Sequence, residues 1–395
     1  MSNRNDAVIE FRRPGAERTE EKKAKYVPVK GKFDVPLFIV VGILLVFGLI
    51  MVYSSSAYTA RIEYNQPTKF LIDQLRNIAV GVVVMVIVMF IPLKFWRKIA
   101  PFIWVFSILS IFVVLTPLGK EVNGAKRWIN LKYVTVQPAE IVKFGLILFS
   151  AALIAKLYDE LGRIIPYLIV LIVGVISAAL IILITDDLGS GIIIMAITLV
   201  GLFVTCPKVK YVLITLAAAV VAAAGFVAMK EYRMDRIRAW LDIEKYAGNL
   251  GYQVMQALYA IGSGGFFGKG LGKSTQKLGF VPENENDMIF SIICEELGIL
   301  GGILLIALFV YLIIRLSKIY QKTGDRFGKM VVLGVATHIA VQTIINLAVV
   351  TNLIPNTGVP LPFISYGGTS IIILLAEIGL VQAVSRNPGM KKVTE

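Results

Sequence analysis

Three short stretches carry residue types that could do chemistry together. In Val281-Pro-Glu-Asn-Glu-Asn-Asp-Met-Ile-Phe290, the acids Glu283, Glu285 and Asp287 alternate along the chain just before a long apolar run. Clustered carboxylates of this kind serve as a general base or hold a divalent cation. An aspartate where a helix begins serves equally well as its N-cap, and for Asp287 both readings stand. In Asn123-Gly-Ala-Lys-Arg-Trp-Ile129, the cations Lys126 and Arg127 sit beside the indole of Trp128. Arginine binds phosphate oxygens in a fixed fork and an aromatic face stacks on a sugar, so the stretch suits a phosphate and a sugar ring. The same residue types also anchor a chain at a membrane–water interface. In Leu353–Ser370, Pro355, Gly358, Pro360 and Pro362 forbid a regular helix, and Ser365, Tyr366, Gly367, Gly368 and Thr369 follow. Small residues there let a backbone or a ligand approach closely.

Charges inside apolar runs form a second set. Lys143 lies near the start of one run, and Glu295 and Glu296 near the start of another. At ~1.5 Å per residue they sit roughly 8 to 12 Å beneath the surface of a membrane. Charges at that depth pair or line a polar cavity, which predicts that Lys143 pairs with Glu295 or Glu296. Asp186 and Asp187 fall at a turn between two runs and read as solvated. His338 and Glu377 lie deep and are expected to be satisfied within a helix bundle. His338 is the only histidine, which argues against His-based metal chemistry. Cys206 and Cys294 fall toward opposite membrane faces, which argues against a disulfide or a thiolate pair.

The elements that must position these residues are apolar helices. The chain is 57% hydrophobic and 17% charged, with a mean hydropathy of +0.77; soluble domains carry roughly 25% charge. The apolar residues gather at 35–55, 76–93, 99–118, 138–157, 164–184, 188–206, 210–229, 288–315, 329–352 and 365–385. Each run is near the ~20 residues that cross a bilayer, where backbone groups must be bonded internally. The fold class is therefore all-α: a polytopic membrane protein of about ten transmembrane helices in one bundle.

A cytoplasmic N-terminus puts most Lys and Arg residues on the cytoplasmic side. The exceptions lie chiefly in 230–287, a long segment where the positive-inside rule is weakest. Both termini are then cytoplasmic, and 230–287 is a long extracellular loop between helices seven and eight. Its apolar content predicts short amphipathic helices lying on the bundle. Residues 1–34 hold no apolar stretch and so no cleavable signal peptide; they read as a disordered basic cytoplasmic tail. The ten-helix domain spans 35–386, and 387–395 is a second cytoplasmic tail. Topology and anionic headgroups explain the net charge of +14 better than nucleic acid does.

These motifs together resemble those of the SEDS family (shape, elongation, division and sporulation) of peptidoglycan glycosyltransferases, the FtsW, RodA and SpoVE proteins. The resemblance rests on Gly124–Ile129, Gln137-Pro-Ala-Glu140 with Lys143, Asp187-Leu-Gly-Ser-Gly191, Gly251-Tyr-Gln253, Pro282 through Asp287, Glu295-Glu-Leu-Gly298 and Gly358 through Ser370. They span nearly the whole chain in the family's order. Met51-Val-Tyr-Ser-Ser-Ser56 and the Gly-Gly-Thr-Ser ending bring it closer to the FtsW/SpoVE branch than to RodA. Some positions depart from the family's pattern. Glu285-Asn286 replaces a histidine–threonine pair, Thr185-Asp186 replaces Gln-Pro, and Asn352 and Asn356 replace small or apolar residues. Glu285 adds a negative charge beside Asp287, which raises a carboxyl pKa.

The resemblance implies a lipid II polymerase at the outer face of the bacterial cytoplasmic membrane, for division or sporulation. A growing glycan would pass from its undecaprenyl pyrophosphate onto the sugar hydroxyl of lipid II. Asp287 would be the catalytic residue, deprotonating that hydroxyl or positioning a divalent cation (Mg or Mn); no organic cofactor is implied. Arg127, Lys126, Trp128 and Lys143 would bind substrate, as would Glu283, Glu296, Ser365, Tyr366, Gly367, Gly368 and Thr369. The implied partner is a class B penicillin-binding protein with an external transpeptidase domain. Two other classes compete. A lipid II flippase needs a polar path across both leaflets, whereas the candidates here crowd the outer third apart from His338 and Glu377. A non-catalytic scaffold recruiting a penicillin-binding protein would tolerate changes at Asp287, Trp128 and Arg127.

Overall fold

Every apolar run of the sequence becomes a helix in the structure, a computed structural model that describes residues 25–28, 31–122, 125–131 and 135–393. Residues 1–24 of the expected tail, Asn123 and Gly124 of the Lys-Arg-Trp stretch, and 394–395 lie outside the described residues. In chain order the first seven long helices are α1 (Val35–Tyr64), α2 (Lys69–Phe90), α3 (Leu93–Val113), α4 (Pro138–Leu157), α5 (Ile164–Thr185), α6 (Leu188–Thr205) and α7 (Val209–Ala228). Two short helices follow, α8 (Glu231–Leu241) and α9 (Tyr252–Gly264). The last three are α10 (Ile289–Lys322), α11 (Arg326–Val350) and α12 (Gly368–Arg386). Among the described residues, 10 helices are long and apolar enough to cross a membrane.

The helix ends differ from the apolar runs for a physical reason. Lys69, Asp73 and Arg76 interrupt the apolar pattern yet continue α2, where Asp73 pairs with both cations. Likewise α3 starts at Leu93, ahead of the charged turn that hides it. α1 runs on through Ser54–Ser56 because the Ser55 and Ser56 hydroxyls return their hydrogen bonds to Val52 O. Aspartates begin three helices: Asp34 accepts from Leu37 N at 2.9 Å, Asp187 from Ser190 N at 2.9 Å and Asp325 from Gly328 N at 2.8 Å.

Successive helices alternate in direction, so the connections 114–137, 186–187, 229–288 and 351–367 share one face. Side chains tie them together there: Arg127 reaches Asp186, Arg236 reaches Asn356, and Thr369 reaches Thr135. The first and last described segments share the other face, where β1 (Lys25–Pro28) pairs antiparallel with β5 (Met390–Val393). That pair lies in segments read as tails. The 114–137 connection holds β2 (Gly119–Val122), β3 (Ala125–Asn130) and β4 (Thr135–Val136) in one antiparallel sheet. The all-α reading describes the bundle and misses these two small sheets. Within the bundle α4, α11 and α12 are the most buried, while α7 has Val212 as its one buried residue.

The long loop is ordered as expected, with α9 packed on α10. α10 breaks at Gly298, whose φ is 70° and ψ −175°. A broken helix in a bilayer needs other partners for its freed backbone groups. The glycine-rich strand after α9 supplies them: Lys269 N and Gly270 N donate to Glu295 O and Glu296 O, and Ile299 N donates to Gly265 O, each at 2.9 Å. This approach is why glycine is needed. A Cβ on Gly264 would stand 2.0 Å from Cys294 O, and one on Gly268 would stand 2.2 Å from Glu296 O.

Candidate active site

A tight turn sets the acids that precede α10. Glu283 adopts φ 53°, and its carbonyl accepts from Asn286 N and Met288 N, so the chain curls before the helix starts at Ile289. α10 has no side-chain cap, so Asp287 is not an N-cap and that reading falls away. Asn346 Nδ2 clamps the Asp287 carbonyl at 2.7 Å and holds Val359 O at 2.8 Å. The Asp287 side chain is 7% exposed. Its partner is Gln253 from the first turn of α9, whose Nε2 lies 3.3 and 3.4 Å from the two carboxylate oxygens. Burial pushes the Asp287 carboxyl up to about 7; the charges of Glu283 and Glu285 push the same way, against the Gln253 hydrogen bond. Glu285 is also pushed up to about 7, chiefly by burial. A carboxyl of that value suits a general base near neutral pH.

Cations gather on the same face. Arg127 on β3 is half-buried and donates to two backbone carbonyls, Nε to Thr185 O at 3.2 Å and Nη2 to Asp186 O at 2.7 Å. Arg233 of α8 pairs with Asp186 Oδ1 at 2.6 Å and lies 3.5 Å over the Phe226 ring. Burial acts to raise the Asp186 carboxyl, yet the Arg233 hydrogen bond and the charges of Arg233, Lys230 and Arg127 hold it below its ordinary value. Three cations around one acid leave a positive surplus suited to an anion. Trp128 is half-buried and Lys126 exposed beside Arg127. Asp186 and Asp187 are thus not a solvated turn: Asp186 is ion-paired, and Asp187 is buried with Ser190 Oγ at 2.8 Å. The turn at 357–359 joins the two groups. Gly189 packs against Thr357 and Val359, and Gly358 between them borders Asp287 Oδ2.

The stretch 365–369 braces this arrangement. Ser365 Oγ donates to Asn286 O at 2.7 Å and accepts from Leu361 N at 2.8 Å. Tyr366 N donates to Glu285 O at 2.9 Å, and its ring meets Phe70 edge-on at 4.9 Å. Burial, with the Asp73 charge, pushes the Tyr366 hydroxyl up to about 12, so it stays protonated. Gly367 N donates to Gln74 Oε1, Gly368 borders Asn77, and Thr369 Oγ1 donates to Thr135 O at 2.9 Å. The polar groups of Ser365, Gly367 and Thr369 are thereby engaged with α2, β4 and the acidic turn.

The buried charges pair differently from the sequence expectation. Lys143, 1% exposed, donates to Glu140 Oε1 at 2.7 Å and to Gln342 Oε1 at 3.1 Å, not to Glu295 or Glu296. Gln342 continues to His338 Nε2 at 2.9 Å, and His338 Nδ1 to Glu377 at 2.9 Å, so the two deep residues are satisfied as expected. Glu295 takes Lys269 Nζ at 2.6 Å and a close contact from the Ser274 hydroxyl. Glu296 takes Lys277 Nζ and Ser54 Oγ at 2.7 Å, Gly272 N at 2.9 Å and Ser274 N at 3.3 Å. With these partners Glu296 ties the glycine loop to α10, where a role as a substrate ligand was expected. Lys143 is enclosed in the same sense. Removing one member of a buried pair strands the other, at a cost of about 3–5 kcal/mol. Lys143→Met is expected to lower the melting temperature sharply, and adding Glu140→Gln to recover part of the loss.

The sequence profile of the FtsW/RodA/SpoVE family, described as cell cycle protein, matches residues 35–389. The chain belongs to this family. It is 36% identical to the probable peptidoglycan glycosyltransferase FtsW of Trichlorobacter lovleyi, over 90% of this chain and 93% of that protein. It is 35% identical to stage V sporulation protein E of Bacillus subtilis, over 89% of this chain and 97% of that one. Among solved structures, a chain of a peptidoglycan synthase complex studied for coordination of polymerization and crosslinking superposes with a TM-score of 0.76 at 26% identity, covering 90% and 98% of the two chains. The rod shape determining protein RodA of Thermus thermophilus superposes with a TM-score of 0.66 at 25% identity, covering 90% and 97%.

Two features of this FtsW/RodA/SpoVE member escape sequence reasoning. Gln253 was visible only as part of a family motif, and Arg233 had no signal beyond being one of many basic residues in the long loop. Among the described residues no three His, Cys, Asp or Glu side chains gather as a metal site. Asp287 is, however, a buried acceptor to which no cationic side chain among the described residues is bonded. That donor fits Mg²⁺ or Mn²⁺ shared with substrate phosphates, since such ions use one or two carboxylates and fill the rest from substrate and water.

Proposed function

We propose that this chain is a peptidoglycan glycosyltransferase that polymerises lipid II into glycan strands, with its chemistry at the face carrying Asp287 and Arg127. The relatives named as glycosyltransferases support the reaction class. The observation that carries the site is a buried carboxyl at about 7 sharing one face with a cluster of cations around Asp186.

In the reaction, the sugar hydroxyl of lipid II attacks C1 of the sugar that links the growing glycan to its undecaprenyl pyrophosphate. A new C1–O bond forms, the C1–O bond to pyrophosphate breaks, and the leaving group keeps the electron pair. The hydroxyl proton goes to the Asp287 carboxylate, which Gln253 holds while Asn346 fixes the Asp287 main chain. Arg127, Arg233 and Lys230, with Lys126 and Trp128 at the rim, meet the pyrophosphate where negative charge develops. In the alternative role Asp287 would instead hold a Mg²⁺ or Mn²⁺, which would supply charge neutralisation for the leaving group.

The face that holds β1 and β5 is also the richer in Lys and Arg, which supports a cytoplasmic assignment for it. The site then faces outward from the bacterial cytoplasmic membrane. Likeness to a chain of a peptidoglycan synthase complex supports a class B penicillin-binding protein as partner, in division or sporulation. A lipid II flippase would route its cargo along the deep chain Lys143–Gln342–His338–Glu377. Those side chains bond to one another and are 0–1% exposed, which disfavours that reading. The test is gel-resolved polymerisation of labelled lipid II by the purified protein, with and without the transpeptidase and divalent cations. Long strands are expected. Absence of strands under every condition refutes the reading, and a transbilayer lipid II assay then takes precedence.

A further inference from the structure

A cavity of about 220 Å³ opens beside Asp287, on the far side of Gln253. It lies between the end of α8, the start of α9 and the 352–356 turn. No carboxylate lines it. The one ionisable group with a permanent charge is Arg236, whose Nη1 donates to Asn356 O at 3.3 Å. Beside Trp240 and Tyr252, the rest of the polar side chains lining it are carboxamides. Asn356 Nδ2 donates to Gln253 Oε1 at 2.8 Å, and Gln253 in turn donates to the Asp287 carboxylate. The side chains of Asn249 and Asn352 also line the cavity, and neither has a hydrogen-bond partner among the described residues. Trp240 is fixed because its Nε1 donates to Asn352 O at 3.0 Å, so its ring is held rigid in the wall.

We propose that this cavity is a subsite for an uncharged, N-acetylated sugar ring: that of the acceptor whose hydroxyl Asp287 deprotonates. The inference rests on the glycosyltransferase reading and adds to it the place of the second substrate. Position separates the two substrates, since lipid II carries a pyrophosphate just as the donor does. The donor's leaving pyrophosphate belongs with Arg127, Arg233 and Lys230, whereas a cavity of carboxamides, Trp240, Tyr252 and the single cation Arg236 suits an uncharged ring. Carboxamides match the paired donors and acceptors of sugar hydroxyls and of an acetamido group. A fixed indole gives a flat apolar face with little ordering cost. The volume is below the several hundred Å³ usual for drug-sized ligands and suits a single ring. Continuity with the reaction decides the assignment: a sugar seated here is one carboxamide, Gln253, away from the Asp287 oxygens.

The experiment supplies the full-length protein with a preformed lipid-linked glycan donor and varies lipid II as acceptor. Trp240→Ala and Asn249→Ala are expected to raise the acceptor KM about ten-fold, with kcat within about three-fold and melting temperature unchanged. Free N-acetylglucosamine at millimolar concentration should inhibit the wild type more than glucose does, and lose that advantage in both variants. If Trp240→Ala fails to fold, Asn249→Ala in its exposed loop and Asn352→Gly, which tolerates the φ of 57° there, carry the test. Unchanged acceptor KM in the folded variants overturns the subsite, as does a loss confined to kcat. A wild type that makes no strands refutes the proposed function instead, so the two failures are distinct.

Discussion

Asp287→Asn is expected to make no glycan strands and, in chelator-containing detergent buffer at pH 8, to melt above the wild type. Both effects have one cause. The folded protein holds the Asp287 carboxyl at about 7, whereas an unfolded chain ionises it at its ordinary value of 3.8. Stability tied to the protonated form is fully present below about pH 4 and is lost as pH rises toward 7. By pH 8 the buried carboxylate costs on the order of 4 kcal/mol. Asparagine keeps the shape and a hydrogen-bond acceptor for Gln253 while carrying no charge, so it removes that cost. It also removes the base, and a positioned general base is worth roughly 10²–10⁴-fold in rate. The wild-type polymerisation rate should correspondingly rise with pH through about 7. Glu285, also at about 7, gives a control: Glu285→Gln should stabilise at pH 8 as well but retain strand synthesis. An Asp287→Asn protein that polymerises at the wild-type rate removes Asp287 from the chemistry, whatever its melting temperature.

The gain in stability separates Asp287 and Glu285 from the paired carboxylates, and loss of strand synthesis is expected to separate Asp287 from Glu285. Structural carboxylates in this protein have cationic or hydroxyl partners: Asp34 pairs with Arg315 and Asp186 with Arg233, while Asp187 takes Ser190. Removing any of these should destabilise. Asp287 sits buried with one neutral amide, and strain of that kind collects where function requires it.

How far the sequence disclosed this arrangement depended on which coordinate a residue pattern encodes. Apolar run length encodes depth in a bilayer, so all ten helices and the ordered loop were legible. Depth alone led to the mistaken pairing of Lys143 with Glu295 or Glu296. The three charges lie at similar depth, but Lys143 points to α11, and the two glutamates point to the glycine loop folded over α10. Which way a helix faces depends on packing that no single run reveals. At the site, residue type singled out Asp287, Arg127 and Trp128, yet left Asp287 balanced between cap and base. The left-handed turn at Glu283 removes the cap reading, and turns of this kind are not written in non-glycine residues. Ser365 and Thr369 were legible as polar residues near the site, while their engagement as braces was not. Gln253 and Arg233 belong to the long loop, whose path over the bundle is tertiary information.

The second large effect is expected at a residue that need not touch substrate. Glu296→Leu should destabilise the protein by about 3–5 kcal/mol, because it strands the ammonium of Lys277, which is 8% exposed. The same change should suppress activity at a distance. Lys277 O accepts from Asn284 Nδ2 at 3.1 Å, and Asn284 lies in the turn that presents Asp287, so the anchor and the acidic turn are joined. Two roles for Glu296 can therefore be told apart. If its carboxylate bound substrate, the Leu variant would keep its melting temperature and raise KM, and changing Lys277 would make matters worse. If it anchors the loop, melting temperature and kcat fall together while KM in the folded fraction holds. Adding Lys277→Met to Glu296→Leu then removes the stranded charge and restores much of both, since replacing a whole buried ion pair by apolar groups of similar volume is often neutral. Failure of the second substitution to restore stability would mean that Ser54, Gly272 N and Ser274 N, which also bind the Glu296 carboxylate, carry the anchor without the ion pair.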